Sequence, residues 1–536
     1  MHRRFLHGNR EVSKLTSRGR ARGINGKVMN RKPMKRSVEK SDTPIVPVKR
    51  ANNADLSSGA LAKEEQSATE CVEGSGVKER NADLQSTLRT QSRVGVSQAQ
   101  ERIREAITRN EQEQLTALLH HVTVDGLRAA FFGLKRDAAP GVDRVTWKEY
   151  ADGLEERLAD LHGRVHRGAY RALPSRRKFI PKPDGRLRPL GIAALEDKIV
   201  QSAMVAILTP VYEAEFLGFS YGFRPGRSQH NALDALAFGI ARRKVRWVLD
   251  ADIQSFFDRI SHEWLVKFVE HRIGDKRVIR LIRKWLKAGV LEDGIEIETT
   301  QGTPQGAVIS PLLANIYLHY VYDLWAQQWR KRQSNGDMIV VRYADDTIVG
   351  FEHRDDAERF LKDLHIRLAQ FGLNLHPEKT RLIEFGRDAI DDRAQRGEGK
   401  PDTFDFLGFT HYCTRKKDGT GFKLGRKTQA KRKRAKLKAI KDALRRNMHK
   451  PIDVQGRWLA DVLRGYFAYF AVPTNSPSLS AFRQQVKERW LRVLRRRSQR
   501  SILTFERMQK IVDRYLPVPH VLHPWPEQRF LVTHST

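Results

Sequence analysis

The sequence predicts an α+β fold with more than one domain. Strand-like and helix-like segments alternate along the chain without the constant period of a solenoid or a parallel β/α barrel. The 536 residues are too many for one ordinary domain, and a hydrophobic fraction of 40% is sufficient for a substantial core. Residues 339–351, IVVRYADDTIVGF, add a clear β-hairpin pattern in which two runs of β-formers flank adjacent aspartates.

The charge and the cysteine content limit the classes of function. The net charge is +35 and basic residues recur along the whole chain, so nucleic acid is the expected partner. A ribosomal-type protein or a membrane-surface protein is the alternative that composition leaves open. The only cysteines, Cys71 and Cys413, are too few for a disulfide framework or a cysteine-based zinc site, which fits a reducing cytosol.

The sequence contains neither a membrane-span pattern nor a secretory signal pattern. No stretch approaches the roughly 18 uninterrupted apolar residues of a membrane span, so we expect no membrane partner. The N-terminus is rich in arginine and lacks an apolar signal core. We therefore expect a cytoplasmic, nucleoid-associated protein, while composition leaves an organellar transit peptide open.

The elements follow in order, beginning with a long polar arm. Residues 1–95 have no hydrophobic periodicity, which predicts a basic, disordered arm and linker. Helical patterns follow over 98–122 and 147–165, and a Pro-Asp-Gly turn predicts a cation-rich hairpin over 177–192. A helix with buried character is expected over 195–216.

The second half of the chain continues the alternation and then becomes helical. A strand within 246–257 precedes a helix over 262–273, and residues 303–329 predict a turn followed by a helix. The aspartate hairpin comes next. From about residue 426 onward the chain is helical and basic, with aromatic residues between the arginines.

The adjacent aspartates of the hairpin, Asp345 and Asp346, would repel each other. An ordinary polar turn explains one aspartate more easily than two. A dication would relieve the repulsion, because Mg²⁺ prefers carboxylate oxygens. Asp252 ends another apolar strand, and if that strand neighbours the hairpin, three carboxylates converge. Such a site can hold two divalent ions roughly 3.5–4 Å apart, the arrangement that serves phosphoryl transfer to a hydroxyl.

Six sequence segments occur in an order that is specific enough to indicate a protein family. They are IPKPDGRLRPLGI, FSYGFRPGRSQHNALDAL, TPQGAVISPLLANIYLHYV, VRYADD, LNLHPEKTRLIEFGR and FDFLGF. From about residue 85 to the C-terminus the chain resembles the bacterial group II intron-encoded reverse transcriptases and maturases. The resemblance implies a right-hand polymerase fold with fingers, a palm built on an antiparallel sheet, and a helical thumb.

The resemblance also implies a domain order after the arm. The expected regions are an N-terminal extension with fingers, a palm, a thumb or domain X, and a short nucleic-acid-binding tail. Their boundaries are 96–235, 236–424, 425–504 and 505–536. Only LVTHST follows LHPWPEQRF, so we expect the family type without an appended endonuclease.

The resemblance assigns catalytic and metal-binding roles residue by residue. Asp252, Asp345 and Asp346 would be the catalytic carboxylates. Together with the backbone carbonyl of Ile253 they would hold two Mg²⁺ ions, with Mn²⁺ as an alternative.

Other roles implied by the resemblance concern the incoming nucleotide and the primer. Lys182 and Arg188 would bind the triphosphate of the incoming nucleotide, and Gln305 would contact the same nucleotide. Phe257 would pack beneath the sugar, while FDFLGF would steady the primer end. The structural alternatives are a solvated basic hairpin for the two cations and a core position for Phe257.

The basic C-terminal helices suit the backbone of duplex or folded RNA. Their aromatic residues, among them Trp458, Phe467 and Trp490, are expected to be mostly core, with the arginines as the functional part. The RNA-binding candidates are Arg495, Arg496 and Arg497.

Together these expectations describe an RNA-directed DNA polymerase and maturase. It would copy group II intron RNA into cDNA from a DNA primer with dNTPs, promote splicing, and insert the intron into a DNA target. A splicing-only maturase, or a reverse transcriptase in phage defence or CRISPR spacer capture, is the alternative. The intact carboxylates and Lys182 argue against the first, and the complete domain X argues against the second. Whether the protein binds RNA as a monomer or a homodimer stays open.

Two positions depart from the pattern of the family. Thr347 follows the aspartates where an apolar aromatic residue is common, and its β-branch still suits a strand. Arg144 replaces a glycine in a loop that resembles a lid over the template. If that position requires positive φ, arginine is costly there.

Overall fold

Three β-sheets and the helices packed around them form the computed structural model of the protein. The structure describes residues 95–109, 114–181, 187–292, 294–416, 418–419, 421–497 and 503–533. Lys182 and nearly all of the predicted arm over residues 1–95 lie outside the described residues. The mixture of helices and sheets confirms the α+β prediction.

The helices of the N-terminal third precede the central sheet. They are α1 over residues 95–109, α2 (Val124–Gly133), α3 (Trp147–Ala151), α4 (Leu154–Arg167), α5 (Leu195–Glu213) and α6 (Gln229–Arg242). The continuous helix predicted over 147–165 is wrong, because Gly153 adopts a φ of +67° and separates α3 from α4.

The helix predicted over 98–122 is also wrong at its C-terminal end. A short 3₁₀ turn, Leu119–His121, lies there instead. The carboxylate of Asp275 accepts hydrogen bonds from the backbone N–H groups of Leu118 and Leu119, each at 3.0 Å. A distant side chain thus binds donors that a continuing helix would use itself.

The strands of the described chain form sheets of four, four and three strands. They are β1 (Ser175–Pro181), β2 (Leu187–Ile192), β3 (Trp247–Asp252), β4 (Val290–Glu292), β5 (Ile295–Ile297), β6 (Met338–Tyr343), β7 (Asp346–Phe351), β8 (Arg381–Glu384), β9 (Phe404–Phe406), β10 (Phe409–Arg415) and β11 (Phe422–Thr428). The first sheet has the order β2-β1-β4-β5, the central sheet β6-β7-β3-β8, and the third sheet β11-β10-β9. The pairing of β1 with β2 confirms the predicted cation-rich hairpin.

The remaining helices surround the central sheet or follow it. They are α7 (Phe256–Arg259), α8 (His262–Arg272), α9 (Lys276–Lys287), α10 (Ser310–Leu318), α11 (Leu324–Arg332), α12 (Arg354–Ala369), α13 (Ala389–Gln395), α14 (Ala430–Arg446), α15 (Ile452–Phe470), α16 (Ser476–Arg495), α17 (Phe505–Tyr515) and α18 (Pro526–Thr533). A π-helical turn, His319–Asp323, joins α10 to α11. Among the described residues, no helix combines the length and the apolar character that a membrane crossing needs.

The central sheet is antiparallel throughout, and its apolar strands are buried. Helix α6 packs against β6, while α12 packs against β3 and β7. Near-continuous apolar runs such as Ile339 to Val341 and Ile348 to Val349 are typical of strands covered on both faces. The polar end of β7, at Asp346, opens to solvent.

A buried ion pair joins the third sheet to helix α6. Arg426 of β11 lies 3.4 Å from Asp234 of α6, and each side chain is 2% exposed. Phe467 and Trp490 are buried as expected. The core expectation is wrong for Trp458, which is 37% exposed, because it lies on the outer side of α15.

The loop around Arg144 has the strained geometry that the missing glycine suggested. Arg144 is exposed and has a φ of +57°. We expect Arg144→Gly to raise the free energy of unfolding by about 1 kcal/mol, because glycine adopts positive φ without a Cβ clash. Urea unfolding measures the change. As a control, Arg157→Gly within α4 should lower stability by a similar amount. Equal destabilisation by both substitutions would contradict the assignment of strain to Arg144.

Candidate active site

The aspartate hairpin forms as predicted, with a two-residue turn between β6 and β7. Tyr343 pairs with Asp346, which leaves Ala344 and Asp345 in the turn. Ala344 is buried and has a φ of +57°. Two-residue hairpin turns require positive φ at their first central position. The prediction that both aspartates lie at or beside the turn is confirmed.

The strand that ends at Asp252 is the neighbour of this hairpin. β3 pairs with β7 in a register that sets Asp252 directly opposite Asp346. Opposed residues of antiparallel strands project from the same face, with Cβ atoms roughly 5 Å apart. Three carboxylates therefore gather at one end of the central sheet, which confirms the condition set by the sequence.

Burial and neighbouring charges raise the pKa of two of the three carboxylates. Burial, followed by the charges of Asp345 and Asp252, raises the pKa of Asp346 to about 7. Burial also raises the pKa of Asp345, again with a contribution from Asp252. Protein atoms surround Asp346 although one side remains open to solvent, so it lies in an open cleft. Concentrated negative charge of this kind is suited to binding cations.

Lys379 is the cation that contacts this group. Its Nζ lies 2.5 Å from Oδ2 of Asp252, and the neighbouring backbone N–H of His376 donates to the Asp252 carbonyl at 2.8 Å. The sequence analysis gave Lys379 no role, although the residue lies in LNLHPEKTRLIEFGR. Its position shows that the cleft already attracts a positive charge.

The carboxylates fit Mg²⁺ in their chemistry, because all of them supply oxygen ligands. As the side chains stand, no group of three His, Cys, Asp or Glu residues in the described part of the chain is closed around a metal position. Lys379 contacts Oδ2 of Asp252, so an ion held by Asp252, Asp345 and Asp346 would compete with the lysine for this oxygen.

A fully buried arginine supports the turn. Nη1 of Arg342 donates to the Ala344 carbonyl at 2.8 Å, while Nε and Nη2 donate to the two carboxylate oxygens of Asp323 at 2.7 and 2.5 Å. Both charged side chains are 0% exposed. Asp323 ends the π-helical turn, a rare geometry that is frequent at functional sites. This buried pair was not predicted from the sequence, because charged residues are almost always expected at the surface.

Two predicted nucleotide-binding residues lie in contact. Nε of Arg188 donates to Oε1 of Gln305 at 3.1 Å, and Nε2 of Gln305 donates to Oδ1 of Asp258 at 3.0 Å. The charge of Arg188 also opposes the rise in the pKa of Asp345. Arg188 therefore lies near Asp345 and contacts Gln305, while the action of both residues on a triphosphate stays a prediction. Lys182 lies outside the described residues.

The two adjacent phenylalanines of α7 differ in burial. Phe256 is 2% exposed and belongs to the core, whereas Phe257 is only half-buried. A fully buried core position is thus wrong for Phe257, and its contact with a sugar stays a prediction. Ile253 is 7% exposed and forms an isolated bridge with Leu375. The proposed use of its carbonyl as a metal ligand also stays a prediction.

The FDFLGF segment forms a turn between β9 and β10. Phe406 pairs with Phe409, and Leu407 has a φ of +46°. The Tyr469 hydroxyl of α15 donates to the Leu407 carbonyl at 2.7 Å. A Cβ added at Gly408 would lie 3.2 Å from the Arg432 side chain, so α14 begins beside this turn.

Helix α14 presents a basic surface that the sequence analysis did not single out. The charge of Arg432 opposes the raised pKa of Asp346, which places the first turn of α14 near the carboxylates. Other exposed cations extend along the helix. They are Lys431, Arg434, Lys436, Lys438, Lys441, Arg445 and Arg446. The signal was present in the sequence as a run of cations interrupted by Leu437, Ile440 and Leu444, which are buried.

The three predicted RNA-binding arginines lie in different environments. Arg495 donates to the Leu503 carbonyl from Nε and Nη2 at 3.3 and 3.2 Å, and Arg497 binds the Lys450 carbonyl. Arg496 is exposed at the C-terminal end of α16. Two of the candidates thus stabilise local backbone, and a role for any of them in RNA binding stays a prediction.

Comparison with known proteins places this site in a family. Residues 180–411, which contain the three carboxylates, match the reverse transcriptase (RNA-dependent DNA polymerase) family. The group II intron-encoded protein LtrA of Lactococcus lactis subsp. cremoris is 39% identical over 225 residues, which cover 41% of this chain and 36% of that protein. Residues 180–411 are therefore similar to a reverse transcriptase domain, and the chain resembles group II intron-encoded proteins over this region.

Other relatives of the chain come from bacteria and fungi. Protein YkfC of Escherichia coli (strain K12) is 40% identical over 220 residues, which cover 38% of this chain and 57% of YkfC. An uncharacterized 91 kDa protein in the cob intron of Schizosaccharomyces pombe is 43% identical over 268 residues, covering 40% of this chain and 33% of that protein. The matches thus span between 33% and 57% of the relatives' lengths.

Proposed function

We propose that the protein is an RNA-directed DNA polymerase that copies group II intron RNA into cDNA, and a maturase that binds this RNA to promote splicing and retrohoming. The proposed polymerase activity rests on the strand register that sets Asp252 opposite Asp346, beside the turn at Asp345. In this proposal residues 96–235 act as N-terminal extension and fingers, 236–424 as palm, 425–504 as thumb, and 505–536 as a nucleic-acid-binding tail.

The three carboxylates would hold two Mg²⁺ ions, with Mn²⁺ as a substitute. When bound, the ions lower the pKa of the primer 3′-hydroxyl and offset charge on the leaving pyrophosphate. Arg188 would bind the triphosphate of the incoming dNTP with its planar fork, and Asp258 would keep Gln305 oriented beside it. The basic surface of α14 would bind the duplex backbone.

The maturase activity rests on the relatives and on the basic C-terminal helices. One relative is the nuclear intron maturase 2 of Arabidopsis thaliana mitochondria, which is 31% identical over 101 residues, covering 19% of this chain and 14% of that protein. Arg496 is an exposed member of the predicted arginine cluster and would contact intron RNA together with α14.

Primer extension tests the polymerase directly. Purified protein is given an RNA template, an annealed DNA primer, dNTPs and Mg²⁺, and cDNA of template length is expected. Splicing of a flanking group II intron RNA is measured in parallel with and without protein. Absence of extension on RNA under conditions that support intron splicing would mean that the protein is a maturase alone.

Phe257 provides a test of nucleotide selection. A ring beneath the sugar leaves no room for a 2′-hydroxyl, so we expect Phe257→Ala to raise ribonucleotide incorporation relative to deoxyribonucleotide by at least about tenfold. Competition between rNTPs and dNTPs in primer extension measures the ratio. Phe256→Leu is the control, because Phe256 is core and should change stability without changing the ratio. An unchanged ratio in active Phe257→Ala would leave Phe257 as a packing residue.

The basic surface of α14 provides a test of duplex binding. Replacing Arg434, Lys438 and Lys441 by Gln should reduce the magnitude of the slope of log affinity against log salt by about 2 to 3. Each phosphate contact releases counterions when the duplex binds, so the loss of three contacts means that fewer counterions are released. A control variant replaces three exposed cations of α9. These are Lys276, Arg280 and Lys287. Equal losses in both triple variants would show that net charge matters and that α14 has no specific role.

A further inference from the structure

The loop between α5 and α6 places an exposed phenylalanine beside the catalytic turn. Phe223 is 54% exposed and has a φ of +57°. Its ring centroid lies 6.5 Å from that of Tyr343, the residue before the turn. Positive φ is costly for a bulky L-residue, and an exposed ring gains little from burial. The conformation of Phe223 is therefore unfavourable in its own right.

The surrounding loop enforces this conformation. The next residue, Arg224, is buried, and its Nε and Nη2 bind the carboxylate of Glu213 at 2.8 and 3.0 Å. Nη1 of the same guanidinium donates to the carbonyls of Leu217 and Ser220 at 2.7 and 2.8 Å. Strained residues persist only where their surroundings over-determine them, and they concentrate at functional sites.

The loop is also in direct contact with the turn that contains Asp345. A Cβ at Gly222 would lie 2.3 Å from the backbone nitrogen of Ala344, so only glycine allows this approach. Nδ2 of Asn315 donates a hydrogen bond to the Gly222 carbonyl at 2.7 Å, and the Tyr221 N–H donates to the Arg342 carbonyl at 2.9 Å. Phe223 is thus fixed relative to the carboxylates by backbone contacts.

We propose that Phe223 is a binding residue for the primer terminus, with its ring packed against the base and sugar of the terminal base pair. This inference rests on the proposed polymerase function. The 3′-hydroxyl must lie at the carboxylates, so the terminal pair lies beside Tyr343 and its neighbour Phe223. The charged groups of the cleft, Arg188 and Arg432, suit phosphates, whereas an uncharged aromatic face suits bases and sugars.

A fluorescent primer tests the contact separately from catalysis. The full-length protein is mixed, without dNTPs, with an RNA template annealed to a DNA primer that ends in 2-aminopurine. We expect binding to change the fluorescence of the terminal base in the wild type and much less in Phe223→Ala. Extension by Phe223→Ala should fall about tenfold. Phe505→Ala is the control, because Phe505 is a 62% exposed aromatic residue at the start of α17.

Thermal unfolding of Phe223→Gly separates binding from folding. Because glycine relieves the strain at positive φ, this variant should unfold at the temperature of the wild type or above, and it should lose the fluorescence change as the alanine variant does. Lower unfolding temperatures in both Phe223 variants would assign the ring a structural role and overturn the inference. Wild-type fluorescence and extension in both variants would overturn it as well. A fluorescence change that depends on Phe223, in a protein that cannot extend primers, would support the contact between Phe223 and the primer terminus. It would also refute the proposed polymerase function.

Discussion

Asp345→Asn is expected to abolish cDNA synthesis while leaving affinity for RNA unchanged. The substitution removes a negative oxygen ligand from the cleft and no phosphate-binding cation. Because metal ions contribute several kcal/mol to phosphoryl transfer, extension should fall by at least about 100-fold. Primer extension and filter binding of intron RNA measure the two effects. Asp355→Asn, at an exposed aspartate of α12, is the control and should behave as the wild type.

Mg²⁺ provides a second readout of the same substitution. A ligand that binds the folded state alone raises the unfolding temperature, so Mg²⁺ should stabilise the wild type more than Asp345→Asn. Residual extension above a few per cent of wild type in the purified variant, together with equal stabilisation by Mg²⁺, would contradict the assignment of Asp345 as a metal ligand.

The second large effect concerns the buried pair of Arg342 and Asp323. Arg342→Met leaves the Asp323 carboxylate buried without its partner, which should lower the free energy of unfolding by about 3–5 kcal/mol. Asp323→Leu in the same chain should recover much of this loss, because an apolar pair of similar volume tolerates burial. Chemical denaturation of both variants measures the two steps.

Primer-extension activity distinguishes two roles of Arg342, namely support of the turn that contains Asp345 and packing alone. The double variant still lacks the donor that Arg342 provides to the Ala344 carbonyl, so we expect it to fold but to extend primers poorly. Extension by the double variant at the wild-type rate would show that Arg342 serves stability and has no effect on the position of Asp345.

The sequence allowed the local features to be predicted more fully than the long-range ones. The hairpin at Asp345 follows from a pattern within one short segment, and the structure reproduces it. The pairing of Asp252 with Asp346 joins strands almost a hundred residues apart, and only the family resemblance made it expected. Periodicity contains no information about which apolar strands become neighbours.

The missed features are charges whose partners are distant in sequence. Lys379 lies 127 residues from Asp252 in the sequence, and no local sequence pattern around either residue predicts their ion pair. Asp323 reaches Arg342 through a π-helical turn that a helical periodicity of 3.6 residues does not predict. The break between α3 and α4 at Gly153 was missed for a different reason, since an isolated glycine is tolerated within helical patterns.

The contact between Lys379 and Asp252 has a consequence for biogenesis. An internal counterion already offsets one carboxylate of the cleft, burial raises the pKa of Asp346 to about 7, and burial also raises the pKa of Asp345. A newly synthesised chain can therefore complete its core before any divalent ion arrives. In the proposed two-metal enzyme the ions would then be loaded late, together with template, primer and nucleotide, and the folded protein would not need bound Mg²⁺ before its RNA arrives.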